Sequence, residues 1–443
     1  MNVYDSQRMV DLLSPLGYEV TETPHDADMA ILNTCHIREK AEQKVFSDLG
    51  RLRAVKDERI QNGADMMIAV GGCVAQAEGA EIIKQAPYVS MVFGPQAYHK
   101  LPEMIAKTTR EHDIKSGKRT GIGIVNIDFP TESKFDILPQ PTTSTVSSFL
   151  SIQEGCDNFC TFCVVPYTRG AEYSRSVVDI LKDARHLVSL GTREITLLGQ
   201  NVNAYHGISP ASNEKEWGLG RLIYELAEID GLERIRYTTS HPMDMDEMLI
   251  KAHGDIEKLM PFLHLPVQSG SNAILQSMNR RHTSDQYIKV VERLRTARPD
   301  LAMSSDFIVG FPGETEADHK ATLDLIREIE YAQAYSFKYS IRPGTPAGAM
   351  DLQVTEDIKS ERLAELQALL NEQQLQFNQS KIGTIQPILV DRVGKHNGQL
   401  SGKTPFMQSI YFDGNQRLQG EMIDVIIEKA FANSVTGTVV TYG

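Results

Sequence analysis

Three cysteines, Cys156, Cys160 and Cys163, lie within the nine-residue stretch Gly155-Cys-Asp-Asn-Phe-Cys-Thr-Phe-Cys163. Their C-x3-C-x2-C spacing on a short loop can wrap three thiolates around one face of a cubane iron–sulfur cluster. Three ligands leave the fourth iron open to the amino and carboxylate groups of a substrate. A cluster bound in this way can pass one electron into a sulfonium and break its carbon–sulfur bond.

A structural zinc site is the alternative for this triplet. Zinc normally takes four ligands in a closed site, and His186 or His206 could supply the fourth. We favour the cluster because the triplet follows a predicted strand that opens a repeated strand–helix series. Chance grouping of three buried thiols is the weakest of the three interpretations.

The other two cysteines, Cys35 and Cys73, each follow an apolar stretch of the chain. Five cysteines make a poor disulfide set, since the number is odd and the chain is long. The N-terminus lacks the basic-then-apolar pattern of a secretion signal. The sequence contains no run of about 18 apolar residues, which a membrane span would require. We therefore expect a cytoplasmic protein with no membrane partner.

Alternating strands and helices in residues 1–121 predict a parallel sheet with helices on its faces. The predicted strands are 30–33, 66–70 and 90–93, and the predicted helices include 5–16 and 38–56. Ligands of such sheets bind beyond the carboxyl ends of the strands, where Cys35 and Cys73 both lie. The stretch that follows contains several Pro, Ser and Thr residues, and we expect residues 122–148 to be a linker.

Six strand–helix units follow in residues 149–373. They are too few for a closed eight-stranded barrel, and they predict an open, partial barrel with its site in the loops at the carboxyl ends of the strands. The predicted strands are 149–153, 194–198, 234–239, 262–266, 303–309 and 335–339, and the clearest predicted helices are 177–190 and 314–329.

Residues 374–443 change to short β runs separated by Gly, Asn and Asp, which predict a small β-barrel of the oligonucleotide-binding type. These runs are 387–390, 409–412, 425–427 and 439–441.

The net charge of −13 alone argues against a nucleic-acid protein, because phosphate contacts need Lys and Arg. Residues 375–443, however, hold six basic and five acidic residues, a balance that permits RNA binding without demonstrating it.

The chain resembles the radical S-adenosylmethionine superfamily in its cysteine triplet, which has an aromatic residue just before the third cysteine. Further stretches resemble the methylthiotransferase subgroup, namely Cys163-Val-Val-Pro-Tyr-Thr-Arg-Gly-Ala-Glu-Tyr-Ser-Arg175, Leu198-Gly-Gln-Asn-Val-Asn203, Ser240-His-Pro242, His264-Leu-Pro-Val-Gln-Ser-Gly270, Asp306-Phe-Ile-Val-Gly-Phe-Pro-Gly-Glu-Thr315 and Arg342-Pro-Gly-Thr-Pro346. Two stretches are similar to the tRNA-2-methylthio-N6-dimethylallyladenosine synthase (MiaB-type) branch, namely Asn33-Thr-Cys-His-Ile-Arg38 and Pro166-Tyr-Thr-Arg-Gly170.

This resemblance covers essentially the whole chain. It implies a flavodoxin-like methylthiotransferase domain in residues 1–121, a linker in 122–148, an open (β/α)6 radical SAM core in 149–373 and a TRAM barrel in 374–443.

The resemblance also implies roles for individual residues of the core. Cys156, Cys160 and Cys163 would hold the radical-generating [4Fe–4S] cluster, and Phe162 would pack beside that cluster and the adenine of S-adenosylmethionine. Polar groups at strand ends would bond the ribose, the methionine end or the target base, or would equally be ordinary strand caps; they are Gln200, Ser240, Gln268 and Asp306. Arg175 would pair with the methionine carboxylate through two parallel hydrogen bonds, or would cap the following helix.

Members of the family carry a second [4Fe–4S] cluster on three cysteines of the N-terminal domain, and Cys35 and Cys73 match two of them. The third would lie just ahead of Met1, at the end of a first strand that is also missing here. In a flavodoxin-like order that strand would be internal, and its loss would expose hydrogen-bonding groups of its neighbours. We expect that the recorded start of the sequence is too late. The alternative is a damaged second cluster site, which would leave the protein deficient in sulfur transfer.

The function implied by the resemblance is methylthio transfer to C2 of N6-isopentenyladenosine at position 37 of a tRNA anticodon loop. The implied cofactors are two [4Fe–4S] clusters and S-adenosylmethionine. The implied partners are the tRNA, a flavodoxin-like electron donor and sulfur- or cluster-supply proteins. The alternatives are a threonylcarbamoyl-adenosine of tRNA or a ribosomal protein as substrate, and a non-catalytic iron–sulfur or RNA-binding protein that has lost sulfur transfer.

Overall fold

The computed structural model describes residues 1–35, 41–114, 123–129, 133–210 and 215–441. The chain divides into two units, which are described separately. Unit 1 comprises Met1–Thr142 and Val164–Glu172, and unit 2 comprises Thr143–Cys163 and Tyr173–Gly443. The predicted limit at residues 121 and 122 and the predicted helix start at residue 38 lie outside the described residues.

Unit 1 contains the predicted parallel sheet, in the spatial order β1-β2-β3-β4. Its strands are β1 (Met29–Thr34), β2 (Met67–Gly72), β3 (Met91–Phe93) and β4 (Ile124–Asn126), and its helices are α1 (Asn2–Leu13), α2 (Ala41–Gln61), α3 (Cys73–Gln85), α4 (Leu101–Ile114) and α5 (Val165–Arg169). Side chains alternate across β2, so that Ile68 and Val70 join one hydrophobic cluster and Ala69 joins another. A buried sheet with an apolar layer on each face confirms the α/β class.

Strands β1 and β2 pair directly along their whole length, from Met29 opposite Met67 to Thr34 opposite Gly72. The expectation that a missing internal strand would leave its neighbours with exposed backbone groups is wrong for these two strands, because each supplies the other's hydrogen-bond partners. Their parallel pairing also brings the carboxyl ends of both strands to one edge of the sheet. Cys35 and Cys73 follow at that edge.

The first part of unit 2 is an open barrel of parallel strands with helices between them, together with two short antiparallel pairs, β6 with β7 and β9 with β10. Its strands are β5 (Ser147–Ser151), β6 (Gln153–Glu154), β7 (Tyr173–Ser174), β8 (Glu194–Leu198), β9 (His206–Ile208), β10 (Glu216–Gly218), β11 (Arg234–Tyr237), β12 (Phe262–His264), β13 (Ala302–Val309) and β14 (Gln333–Lys338). Its helices are α6 (Val177–Ser189), α7 (Leu219–Ala227), α8 (Glu247–Asp255), α9 (Asn272–Ser277), α10 (Ser284–Ala297), α11 (Glu316–Ile329) and α12 (Glu356–Gln379).

Six of these strands form the wall of the barrel in two parallel sets, β11-β8-β5 and β12-β13-β14. The sets meet where the N–H of Met260 donates to the carbonyl of Ile235 at 3.0 Å. Helix α6 illustrates how the helices cover this wall. Its buried residues Val177, Ile180, Ala184 and Leu187 recur at helical spacing, which turns one apolar stripe toward the strands. The predicted partial barrel is confirmed.

The second part of unit 2 is a closed barrel with the strand order β15-β16-β17-β19-β18. Its strands are β15 (Ile385–Val393), β16 (Gln399–Lys403), β17 (Ser409–Asp413), β18 (Met422–Ala430) and β19 (Ser434–Val439). The predicted barrel is confirmed, although the sequence did not indicate β16 and placed the last strand a few residues too late. Helix α12 runs through positions 373 and 374, so the limit predicted there falls inside a continuous helix.

Within the described part of the chain, no helix has both the length and the apolar character needed to cross a membrane.

Candidate functional site

The cysteine triplet lies on the loop that follows β5 and β6 of unit 2. Cys156, Cys160 and Cys163 are all partly buried and form no disulfide. Burial raises the pKa of the Cys156 thiol, the N–H of Asn158 opposes that rise, and the nearby Cys160 adds to it. A raised thiol pKa means that metal ligation, which requires thiolates, would release protons.

The start of this loop is fixed by two glutamines. Gln153 is fully buried, and its Oε1 accepts hydrogen bonds from the N–H groups of Gln200 at 2.9 Å and Asn201 at 3.1 Å. Its Nε2 donates to the carbonyl of Gly155 at 3.3 Å. Gln200 in turn accepts the N–H of Gly155 through Oε1 at 2.5 Å. The residue just before the first cysteine is therefore bonded through both its N–H and its carbonyl.

The middle of the loop is held by the turn that follows α9. Thr161 donates its N–H to the carbonyl of Met278 at 3.1 Å and its hydroxyl to the carbonyl of Ser277 at 2.9 Å. Asn279 donates through Nδ2 to the carbonyls of Asn158 at 3.2 Å and Phe159 at 3.1 Å. These bonds fix the backbone between the first and third cysteines.

Phe162 packs, half-buried, against an apolar cluster that includes Ile274, Met278 and Phe311. Its ring is thus anchored on the barrel side of the loop. The sequence predicted a packing role for Phe162 beside the cofactor, and the structure supplies the anchor for such a role.

Of the other predicted cofactor residues, Gln200, Ser240 and Gln268 follow the barrel strands β8, β11 and β12, whereas Asp306 lies in the middle of β13 and not at its end. Ser240 is buried, and its hydroxyl has no hydrogen-bond partner among the described residues. Gln268 has a left-handed backbone with a φ of 77° and bonds through its N–H to the carbonyl of Asp306 at 3.0 Å. The carboxylate of Asp306 lies 3.5 Å from Nε2 of His264. An unpartnered buried hydroxyl is costly unless a ligand completes it, and Ser240 therefore fits a polar ligand at these strand ends.

Arg175 is already engaged by protein groups. Its guanidinium is buried and donates to the carbonyl of Ser151 at 2.8 Å and to the carboxylate of Asp183 at 2.7 Å. Asp183 belongs to α6, the helix that follows. The second sequence interpretation made Arg175 the cap of the following helix. In the structure Ser176 caps α6, and Arg175 pairs with Asp183 inside that helix.

Unit 1 brings Cys35 and Cys73 near each other at the edge of its sheet. Cys73 is the first residue of α3. Burial raises the pKa of its thiol, the Arg169 guanidinium opposes that rise through charge and a hydrogen bond, and Cys35 adds to it. The sequence did not single out Arg169 as a site residue, although it lies in the quoted stretch 166–170.

Arg169 belongs to a buried charge network in unit 1. It donates to the carboxylate of Asp5 at 2.8 Å, and Nζ of Lys134 lies 3.7 Å from the same carboxylate. Burial raises the pKa of Asp5, but Arg169 and Lys134 outweigh burial and hold that pKa below its usual range. The network thus fixes a cation beside Cys73.

The donor geometry bears on the choice between zinc and a cluster. Among the residues that the structure describes, no three His, Cys, Asp or Glu side chains are grouped to hold one metal ion. Ligands of a single zinc converge on one point at about 2.0–2.3 Å, whereas three thiolates of a cubane each bind a different iron. Three cysteines on one hydrogen-bonded loop have the residue types and the spacing that three irons of a cubane would take.

Comparisons with known proteins lead to the same class. The model of the Radical SAM superfamily matches residues 150–326, that of the uncharacterized protein family UPF0004 matches 1–94, and that of the TRAM domain matches 379–440. The fold is similar to that of the radical S-adenosylmethionine methyltransferase TsrM from Kitasatospora setae. The TM-score is 0.54 at 14% identity, over 78% of this chain and 72% of that chain. The fold and the cysteine loop define a radical SAM enzyme, which implies a [4Fe–4S] cluster and S-adenosylmethionine.

Two relatives give the family. A protein of Maricaulis maris named tRNA-2-methylthio-N(6)-dimethylallyladenosine synthase is 57% identical over 99% of this chain and 94% of its own length. A protein of Rickettsia felis with the same name is 56% identical over 99% of this chain and 97% of its own length. The chain belongs to the tRNA-2-methylthio-N(6)-dimethylallyladenosine synthase family.

Proposed function

We propose that this protein converts N6-isopentenyladenosine at position 37 of tRNA to its 2-methylthio derivative, with S-adenosylmethionine as co-substrate. The observation that carries the proposal is the cysteine loop of unit 2. Its C-x3-C-x2-C residues follow the first strand of an open parallel barrel, and hydrogen bonds from two other loops hold its backbone. Membership of the family supplies the substrate class.

Cys156, Cys160 and Cys163 would hold the radical-generating cluster in this proposal. When bound, that cluster supplies the electron that cleaves S-adenosylmethionine to methionine and a 5′-deoxyadenosyl radical. Phe162, which packs against Ile274, Met278 and Phe311, would lie beside the iron–sulfur group and the adenine of S-adenosylmethionine. Gln200 orients the loop through Gly155 and has its Nε2 left for a ligand. Ser240, Gln268 and Asp306 bind the nucleoside, and the unpartnered buried hydroxyl of Ser240 supports that role most directly.

Cys35 and Cys73 would contribute to a second [4Fe–4S] cluster, which delivers the sulfur. Their closeness at one sheet edge and the fixed charge of Arg169 support this role. A thiolate that ligates metal must stay deprotonated, and a guanidinium beside Cys73 favours the thiolate. We also propose four segments with the limits 1–121, 122–148, 149–373 and 374–443. The boundary between the last two segments lies within α12.

The remaining partners follow from the chemistry. A one-electron reduction needs a donor, for which a flavodoxin-like protein of the cytoplasm is suited, and a consumed sulfur needs proteins that restore it. The TRAM barrel would bind the tRNA backbone, while the target base is reached in a single-stranded loop, where it can be splayed out.

Mass spectrometry of tRNA nucleosides from a deletion strain tests the substrate. We expect the 2-methylthio group to disappear from the isopentenyl nucleoside and to return with the wild-type gene, but not with a Cys156→Ala gene. Loss from the threonylcarbamoyl nucleoside, or unchanged tRNA with an altered ribosomal protein, would support a rival substrate. Methylthiolation that persists in the deletion strain would contradict the proposal.

Iron analysis after anaerobic reconstitution tests the second cluster separately. About eight irons per chain would indicate two clusters and about four would indicate one. A Cys35→Ala, Cys73→Ala variant is expected to fall from about eight to about four. An unchanged iron content in that variant would contradict the assignment of these two cysteines.

A further inference from the structure

The turn at residues 277–280 ends α9 with a defined hydrogen-bond pattern. Asn279 donates its N–H to the carbonyl of Gln276 at 3.0 Å, and Arg280 donates its N–H to the carbonyl of Leu275 at 2.8 Å. Asn279 takes the left-handed conformation, with a φ of 57°, that such a Schellman ending requires and that Asn tolerates better than most residues. The ending fixes the backbone from which the Arg280 side chain extends.

Arg280 reaches a cysteine of the triplet from this turn. Its Nη1 lies 3.7 Å from Sγ of Cys160, within hydrogen-bond distance for sulfur, and its Nη2 donates to the carbonyl of Pro266 at 2.5 Å. The Pro266 carbonyl therefore holds the guanidinium in position while the other terminal nitrogen faces the sulfur.

The guanidinium of Arg280 keeps an unpaired charge with respect to the residues that the structure describes. Where the structure describes the chain, no carboxylate forms an ion pair with this guanidinium, and its buried Nε has no acceptor. The loop backbone is already held by Thr161 and Asn279, so Arg280 is not needed to close the turn. What Arg280 adds is a positive charge and an N–H donor at a ligand sulfur.

We propose that Arg280 is a positioning residue that raises the reduction potential of the cluster carried by Cys156, Cys160 and Cys163. The inference rests on the proposed function, because it presupposes that cluster. Hydrogen bonds to cluster sulfurs are among the features that set the potential of an iron–sulfur centre. A cation near the cluster stabilises the reduced state, which carries one more negative charge, more than it stabilises the oxidised state. Arg280 therefore makes the electron uptake that precedes cleavage of the sulfonium more favourable.

The test is an anaerobic redox titration of the reduced cluster, followed by electron paramagnetic resonance. It uses the full-length chain in a Cys35→Ala, Cys73→Ala background, so that only the core cluster contributes. Arg280→Gln removes the charge, and Arg280→Lys keeps a cation without the planar fork. Arg281→Gln is the matched control, since it removes an equal charge from the exposed neighbouring residue.

We expect Arg280→Gln to keep its iron and to shift the midpoint potential to a more negative value, while Arg281→Gln stays at the wild-type value. Arg280→Lys should recover part of the shift. Equal midpoint potentials in iron-loaded Arg280→Gln and Arg281→Gln would overturn this inference but would not contradict the proposed function.

Loss of iron in one variant does not leave the question open. If Arg280→Gln does not load, a loaded Arg280→Lys with a potential close to wild type supports the role of the charge. If Arg280→Lys also fails to load, Arg280 is a structural residue and the inference is overturned. A parent chain that takes up no [4Fe–4S] cluster would instead contradict the proposed function, and the inference with it.

Discussion

The backbone N–H of Gly155 donates to Oε1 of Gln200 at 2.5 Å, which links the end of β8 to the residue before the first cysteine. The sequence predicted that Gln200 either bonds the cofactor or is an ordinary strand cap, and in the structure its carboxamide oxygen is bonded to the cysteine loop. Gln153 completes the link, because its Oε1 accepts the backbone N–H of Gln200. The geometry of the loop therefore depends on two linked side-chain amides, of which that of Gln153 is fully buried and that of Gln200 is partly buried.

Gln153→Leu tests this chain of amides. The substitution keeps the approximate volume of the side chain but leaves the N–H groups of Gln200 and Asn201 without their acceptor. Each buried group left unsatisfied costs about 1–3 kcal/mol, so we expect a loss of that order in the free energy of unfolding and a lower iron content after reconstitution. The fluorescence of Trp217, the one tryptophan of the chain, reports unfolding of unit 2 because its ring lies in the core of that unit.

Gln367→Leu is the control for that substitution, since Gln367 is exposed on α12. Its free energy of unfolding should stay within about 0.5 kcal/mol of wild type. If Gln153→Leu matched this control in both stability and iron content, the two-amide link would not be what holds the loop.

Glu194→Gln tests how the TRAM barrel is attached within unit 2. Glu194 is buried 2.9 Å from Nε of Arg236, and Arg236 donates to the carbonyls of Pro405 and Thr404, each at 2.9 Å. Removing the carboxylate charge takes away the buried group that pairs with Arg236 and lies 3.8 Å from the neighbouring Arg234. Breaking a buried pair of this kind costs about 3–5 kcal/mol, which we expect in urea unfolding followed by tryptophan fluorescence.

The exposed pair of Arg221 and Glu225 on α7 provides the comparison. Surface pairs at this spacing contribute about 0.3–0.5 kcal/mol, so Glu225→Gln should change stability little. Equal effects of Glu194→Gln and Glu225→Gln would contradict the attachment described for the barrel.

The carboxylate of Glu194 also makes the free energy of unfolding depend on pH. Burial raises the pKa of Glu194, but the guanidinium groups of Arg236 and Arg234 outweigh burial and hold the pKa below the ordinary value of 4.5. The contribution of Glu194 is therefore complete above about pH 4.5 and is lost as the pH falls through the lowered folded-state pKa. Unfolding curves of wild type and Glu194→Gln should approach each other over that acidic range, and a constant difference down to pH 2 would contradict this assignment.

Gly72→Ala tests the edge of the unit 1 sheet, where Cys73 begins α3. Gly72 has a φ of 95°, and a Cβ there would lie 2.3 Å from the carbonyl oxygen of Thr34. The variant must shift β2 away from β1, and we expect faster alkylation of Cys73 in cluster-free protein, measured by peptide mass spectrometry. In the helical control Gly50→Ala, the added Cβ has nothing within 4 Å, and the alkylation rate should stay at the wild-type value. An unchanged rate in Gly72→Ala would mean that the strand pairing does not protect this thiol.

The spacing of apolar residues along the chain predicted most of the fold, because most strands and helices are determined by such local patterns. Strand β8 was predicted with the bounds it has, and all five residues of Glu194–Leu198 are buried in the structure. Strand β16 was missed because Gln399–Lys403 has one large apolar residue, Leu400, and shows no alternation that a single strand could display. Its neighbours β15 and β17 provide the pairing that the segment itself does not encode.

The sequence was sufficient to predict the cysteine ligands of the site. It was not sufficient to predict the residues that hold those ligands in place. The spacing of Cys156, Cys160 and Cys163 is a local signal, and it sufficed for the class of enzyme. Arg280 lies 120 positions from Cys160, and nothing in its own segment marks it as a partner of a thiolate. Long-range contacts of this kind depend on where parallel strands end relative to one another, which only the folded barrel specifies.

The central claim is that the loop of Cys156, Cys160 and Cys163 builds a catalyst for cleaving S-adenosylmethionine. The most direct test is the release of 5′-deoxyadenosine when the anaerobically reconstituted chain is reduced in the presence of S-adenosylmethionine. We predict release by the wild type and by the Cys35→Ala, Cys73→Ala variant, and none by a Cys156→Ala, Cys160→Ala, Cys163→Ala variant that keeps its fold. Release by that triple variant at the wild-type rate, or no release by iron-loaded wild type, would contradict the account.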